Sequence, residues 1–185
     1  MKSKLMAFAG VLCITSLIVS GANAEGFSAG ASIGSSKGEF SESIEGFDFN
    51  FDGSDVGFKV FGKYMFNDNW GLEVGYVDFG TPSDKFLGID IDVDLSGFDV
   101  FLIGSVPVSE SVDLFGKAGM ADLEAEISSP GFGSDSADET DLAVGIGAKF
   151  HTSDTFSILA EWEWFDVEDT DAVWILSLGI EVGFN

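Results

Sequence analysis

The chain has no arginine, a single cysteine, a single histidine and only three prolines among 185 residues. With Cys13 alone, no internal disulfide can form. After Ala24 no run of 18 apolar residues occurs, so no membrane-spanning helix can be drawn through that part. Basic residues are scarce: eight lysines face 32 aspartates and glutamates, a formal charge of −24. Such a surface repels a phosphate backbone, which excludes nucleic acid as a partner. An acidic chain poor in aromatics would read as disordered, but this one carries 19 Phe and four Trp, mostly inside regularly patterned segments.

At the N-terminus Lys2 and Lys4 precede an apolar stretch from Leu5 to Val19, and the segment closes on Ala22-Asn23-Ala24. This is the pattern of a secretory signal peptide with an A-x-A site, so residues 1–24 are expected to be removed after Ala24. Cys13 is not read as a lipid anchor, because Leu12 before it is not the small residue such processing needs. Residues 25–185 then form one domain of 161 residues, with six lysines against 32 acids and a formal charge of −26.

Within that domain the apolar period is two, repeated over eight segments. The apolar parity holds Phe27 to Ile33, Val56 to Phe66, Trp70 to Tyr76, Phe98 to Val106, Val112 to Met120, Leu142 to Phe150, Phe156 to Trp164 and Trp174 to Phe184. The other parity is rich in Gly and Ser with scattered charges. Segments of roughly ten residues suit tilted transmembrane strands. A soluble β-sandwich also alternates, but it solvates its polar face, whereas the small residues here suit a narrow lumen. Short turns at Asn67-Asp68-Asn69, Ser109-Glu110-Ser111 and Thr152-Ser153-Asp154 alternate with linkers spanning Ser35 to Asp55, Gly80 to Leu95, Ala121 to Asp141 and Asp166 to Asp171. The expected fold is all-β: an eight-stranded antiparallel up-and-down transmembrane β-barrel, with both termini on the short-turn, periplasmic side.

Several stretches carry a family resemblance. Gly57 to Gly80 (GFKVFGKYMFNDNWGLEVGYVDFG) resembles the second hairpin of the OmpA-like eight-stranded outer-membrane barrels. Leu114 to Gly119 resembles their fifth strand, and Ala160 to Asp166 their seventh. Ser177, Gly179, Val182 and Phe184 fit the C-terminal assembly signal of such barrels, with Asn185 one residue beyond the usual terminal aromatic. The likeness spans residues 25–185 and is to the stand-alone type without a peptidoglycan-binding domain, so cell-wall tethering is not implied. It implies residence in a Gram-negative outer membrane, contact with lipid and lipopolysaccharide, and dependence on the barrel-assembly machinery.

Ten charges fall on the inward parity: Lys59, Lys63, Glu73, Asp99, Asp113, Lys117, Lys149, Glu161, Glu163 and Glu181. Eight strands leave an interior that side chains just fill, so these are expected to form a neutralised plug; an ion path through rearranging pairs is the functional alternative. Outward aromatics form two girdles, Tyr64, Phe66, Trp70, Phe150, Phe156 and Phe184 near the turns, and Tyr76, Trp162, Trp164 and Trp174 toward the linkers. Glu39, Glu42, Glu45, Asp48, Asp52 and Asp55 crowd the first linker, and Asp135, Asp138, Glu139 and Asp141 the third. Asp90 to Asp94 is not an EF-hand, since Leu95 stands at position six and Phe101 at position twelve. The carboxylates read as a solvated repulsive surface, with weak divalent bridging as the sharper reading. His151 beside Thr152-Ser153-Asp154 offers a triad by residue type only, because neighbours in one tight turn do not converge. The sequence therefore points to a monomeric structural barrel with no cofactor, metal or catalytic site. A surface interaction protein acting through its loops is the second reading, and a narrow channel the third.

Overall fold

The computed structural model describes residues 26–44, 47–81, 83–86, 89–129, 133–167 and 172–184; the proposed signal segment 1–24 and Asn185 lie outside them. Among the described residues nine strands occur: β1 (Phe27–Ile44), β2 (Phe47–Met65), β3 (Trp70–Asp78), β4 (Ser83–Phe86), β5 (Ile89–Ser109), β6 (Val112–Ser129), β7 (Gly133–His151), β8 (Phe156–Phe165) and β9 (Ala172–Phe184). All pairings are antiparallel in the order β3-β2-β1-β9-β8-β7-β6-β5-β4, and a further β3–β5 ladder closes the sheet. Eight strands thus form a barrel without an edge, the condition for leaving no backbone polar group unpaired in a membrane. The ninth, β4, is a short addition paired with Ile89–Asp92 of β5.

Alternation fixes which way each strand faces. Outward positions such as Val56, Phe58, Leu72, Val100, Leu114, Ile146, Ile158, Leu178 and Phe184 are exposed, while inward neighbours such as Lys59, Phe101, Leu159 and Ile175 are buried. A soluble sheet would reverse this, so the apolar face is one that meets lipid. The inner girdle is continuous where Tyr64 meets Phe66 edge-on at 5.6 Å, and Phe27 lies 6.1 Å from Phe184. At the other girdle Tyr76 packs between Phe58 and Phe98, and Trp164 stands opposite Trp174.

One end carries Phe27 at the start of β1, Phe184 at the end of β9 and the short turns. There the Asn67 side chain accepts the backbone N–H groups of Asn69 and Trp70 at 2.9 and 3.0 Å, closing the β2–β3 turn. Ser153 Oγ accepts Phe156 N–H at 3.1 Å and Thr152 Oγ1 donates to Phe156 O at 2.8 Å, closing β7–β8. The opposite end differs from the sequence expectation. The linkers 35–55 and 121–141 are not open loops: β1 and β2 remain paired to Ile44↔Phe47, and β6 and β7 to Ser129↔Gly133. Backbone hydrogen bonding between these strands thus continues beyond the apolar band of the barrel. The side chains of Glu39, Glu42, Glu45, Asp48, Asp52, Asp90, Asp92, Asp135, Asp138 and Glu139 lie outside the described residues. At the β3–β4 junction Gly80 adopts φ +78°, a conformation open to glycine. Its N–H donates to Asp78 Oδ1, while Thr81 N–H donates to Asp55 Oδ2 and Thr81 Oγ1 to Asp94 Oδ1. Asp55, Asp78 and Asp94 therefore pin this turn.

Candidate functional site: a layered lumen

Four layers fill the barrel from the turn end to the hairpin end. Lowest are Asp113, Lys149, His151, Ser157, Glu181 and Lys63. Above them Phe61, Ile103, Phe115 and Leu159 form an apolar layer. Next come Lys59, Glu73, Asp99, Lys117, Glu161 and Glu163, all buried. Over these lies a larger apolar cluster of Val77, Phe79, Phe101, Ala121, Leu123, Ala143, Phe165, Val173 and Ile175, with Phe79 and Phe165 edge-to-face at 5.1 Å.

Register makes room for the long charged chains. Asp99 stands opposite Gly75, Lys117 and Glu163 opposite Gly145, Glu161 opposite Gly147 and Glu181 opposite Gly30. A Cβ on Gly145 would lie 2.8 Å from Lys117 Cε and 3.3 Å from Glu163 Cγ, so the glycine is what lets those chains lie across the sheet.

Lys59 Nζ lies 3.0 Å from Glu73 Oε1, 2.9 Å from Asp99 Oδ2 and 2.6 Å from Glu163 Oε1. Lys117 Nζ lies 2.8 Å from Glu73 Oε1, 2.6 Å from Glu161 Oε1 and 2.8 Å from Glu163 Oε1. Each ammonium thus has three carboxylate oxygens for its three donors. Glu73, Glu161 and Glu163 bring their oxygens within 4.8 Å of one another, as metal ligands do. The Lys117 ammonium takes the place among them that a metal would need. Lys63 passes Phe61 and Phe115, its Nζ 5.1 and 5.5 Å from the ring centroids, to meet Glu181 Oε2 at 2.9 Å and Glu73 Oε2 at 3.4 Å. Lys149 Nζ meets Glu181 Oε1 at 2.5 Å. Lys59 and Lys117 both lie over Phe101, 4.8 and 4.5 Å from its centroid, where the ring face adds attraction for cations.

All ten inward charges are thereby placed, nine in one network and Asp113 apart. Asp113 Oδ2 lies 2.8 Å from His151 Nε2, and His151 Nδ1 lies 3.3 Å from Ser157 Oγ. The sequence reading had His151 beside Ser153 and Asp154 and did not find these partners. The signal lay in the register, which sets His151 opposite Ser157 and Asp113 opposite Lys149. Of the residues expected to form the assembly signal, Ser177 and Gly179 face the lumen while Val182 and Phe184 face outward, on the strand that closes against β1.

A closed antiparallel barrel, apolar outside and charged within, is the construction of an integral outer-membrane protein. Residues 6–185 match the family described as the outer membrane protein beta-barrel domain, and the chain belongs to it. It is 30% identical over 139 residues to the Attachment invasion locus protein of Yersinia pseudotuberculosis serotype I, covering 71% of this chain and 74% of that protein. Among solved structures it resembles Ail of Yersinia pestis in complex with the heparin analogue sucrose octasulfate (24% identity, TM-score 0.54, 85% of this chain and 99% of that one). It also resembles Neisserial surface protein A (16% identity, TM-score 0.68, 86% and 98%). At those identities the two structures establish the shared barrel fold. The protein is an outer-membrane β-barrel related to Ail.

Proposed function

We propose that this chain is a closed structural barrel of the Gram-negative envelope whose paired hairpins serve as a platform for surface contacts. The observation that carries this reading is the lumen, filled by two apolar layers alternating with ion pairs. Such an interior strengthens the wall and offers no hydrated path. Residues 1–24 serve for export and are removed after Ala24. The turn end and both termini face the periplasm, and the hairpin end faces outward. Assembly proceeds through the barrel-assembly machinery by way of Ser177, Gly179, Val182 and Phe184, and the mature protein is a monomer among outer-membrane lipid and lipopolysaccharide.

No enzymatic role is assigned. Asp113, His151 and Ser157 have the residue types of a hydrolytic triad, but the serine is 5% exposed, out of reach of an acyl substrate. A role in surface attachment is the second reading, supported by the name of the Yersinia relatives and by the strand-paired hairpins. Planar-bilayer recording on refolded protein tests the first: the expected result is a flat trace, and stable single-channel steps would sink it. Hairpin-deletion strains compared for adhesion and for envelope leakage test the second, with adhesion lost and leakage unchanged as the outcome that favours it.

A further inference from the structure

Glu161 and Glu163 stand two residues apart on β8, so both side chains enter the lumen from the same face, and both are buried there. Their Oε1 atoms meet one ammonium, Lys117 Nζ, at 2.6 and 2.8 Å, and the two carboxyl groups are hydrogen-bonded to each other. An ionised carboxylate only accepts hydrogen bonds, so a bond between two carboxyl groups requires a proton on one of them.

The charge count asks for the same proton. The layer between the two apolar clusters holds Lys59 and Lys117 against Glu73, Asp99, Glu161 and Glu163. Lys63 reaches Glu73 Oε2 at 3.4 Å but lies closer to Glu181, which Lys149 also holds. The connected network thus sets four ammoniums against five carboxylates. An uncompensated buried charge is costly, and one proton brings the network to zero.

Cation coverage decides where that proton sits. Glu73 touches three lysines, Glu163 and Glu181 two each, and Asp99 and Glu161 one each. Of the two poorly covered acids, Glu161 has a carboxylate to receive its proton, whereas Asp99 turns Oδ1 to Gly75 and the Lys59 stem. The strands flanking β8 bring no further charge to the pair: Gly145 and Gly147 of β7 and Ile175 and Ser177 of β9 stand opposite it. Lys59 of β2, Glu73 of β3, Asp99 of β5 and Lys117 of β6 are the charges that face it across the lumen.

We propose that Glu161 and Glu163 form an acid pair that holds one proton at neutral pH, with Glu161 as the donor and Glu163 as the carboxylate. Two like charges so close cannot both ionise, so the pair carries one negative charge, set between Lys59 and Lys117. Glutamates of the unfolded chain lose their protons around pH 4.3, so above that pH the barrel takes up one proton as it closes. The folded state then binds more protons than the unfolded one, and stability falls as pH rises.

Infrared spectra of the barrel refolded in an ester-free detergent at pH 7 test the proton directly. The carbonyl stretch of a protonated carboxylic acid is expected. It should move to lower frequency when the glutamates carry carbon-13 in the side-chain carboxyl, and it should be missing from Glu161→Gln. In urea unfolding between about pH 5.5 and 7, the unfolding constant of the wild type relative to that of Glu161→Gln should rise about tenfold per pH unit. Gln keeps an N–H donor for Glu163; if the variant still fails to fold, Glu163→Gln removes the other half of the pair, and the labelled wild-type spectrum stands without either. Absence of the acid band at pH 7 would overturn the proposal. A band that ignores the labelled glutamates would overturn it too, by placing the proton on Asp99, as would pH slopes that are equal in the two proteins.

Discussion

Glu73 receives three lysines, Lys59 and Lys117 on one oxygen and Lys63 on the other, so the inner ladder of β3 is tied to β2 and β6 through one side chain. Lys117 is the complementary hub, and it is fully enclosed. Removing its ammonium strands Glu161 and takes one of the cations from Glu73 and Glu163, and breaking a buried pair from one side costs about 3–5 kcal/mol. Lys117→Met should therefore lower stability by that order in urea unfolding, and adding Glu161→Gln should recover part of the loss. Space is the second constraint at this scale. Gly145→Ala would place a methyl 2.8 Å from Lys117 Cε, an overpacking worth about 1–3 kcal/mol. Gly116→Ala, whose methyl would meet only the Gly145 carbonyl at 3.9 Å, should be neutral in the same assay. Parity made the inward charges legible in the sequence, but not their pairing. Which acid meets which lysine depends on register across strands far apart in the chain, as with Lys59 and Glu163, 104 residues apart.

Among the elements, the membrane-spanning parts of the strands were legible because lipid on one side and a narrow lumen on the other impose a strict period of two. The turns were legible too, since Asn, Ser and Thr at 67–69, 109–111 and 152–154 close the backbone with their own side chains. The outer halves of β1, β2, β6 and β7 were not. Their backbone pairing continues with register unbroken, from Ser35↔Val56 to Ile44↔Phe47, although β1 shows no apolar alternation there and the Phe47, Phe49 and Phe51 alternation of β2 lay in the stretch read as a linker. β4 was missed because it is only four residues long, paired to Ile89–Asp92 of β5 within the stretch read as a linker. The β6–β7 ribbon extends past the closed barrel, because β7 last pairs with β8 at Ala143↔Phe165, with β5 running beside β6 to Asp92↔Ser128, whereas β1 stays paired with β9 to Glu39↔Ala172. Removing residues 126–136 and joining Ala125 to Ala137 through a two-residue turn should therefore leave folding intact. The check is the mobility shift between unheated and heated samples on a gel, together with an unchanged urea midpoint; a barrel that no longer forms would show that the ribbon belongs to the core.

For the whole molecule, the distribution of charge matters more than its total. Four lysines are consumed inside the lumen, which leaves Lys37 and Lys85 as the only basic residues in the segments 35–55, 80–95, 121–141 and 166–171. Those same segments hold 21 aspartates and glutamates. The hairpin end therefore projects a strongly negative field, and fields of this kind select partners by sign and act over about 10 Å at 0.1 M salt. The Yersinia pestis relative was crystallised with a polysulfated ligand; this chain should repel one. The detergent-solubilised barrel should pass unretained through immobilised heparin at low salt, and bind immobilised polylysine with an affinity that falls steeply as salt is raised. Retention on heparin that survives removal of residues 126–136 would place a polyanion site elsewhere on the surface, and would contradict the reading of the outer end as a selector for cationic partners.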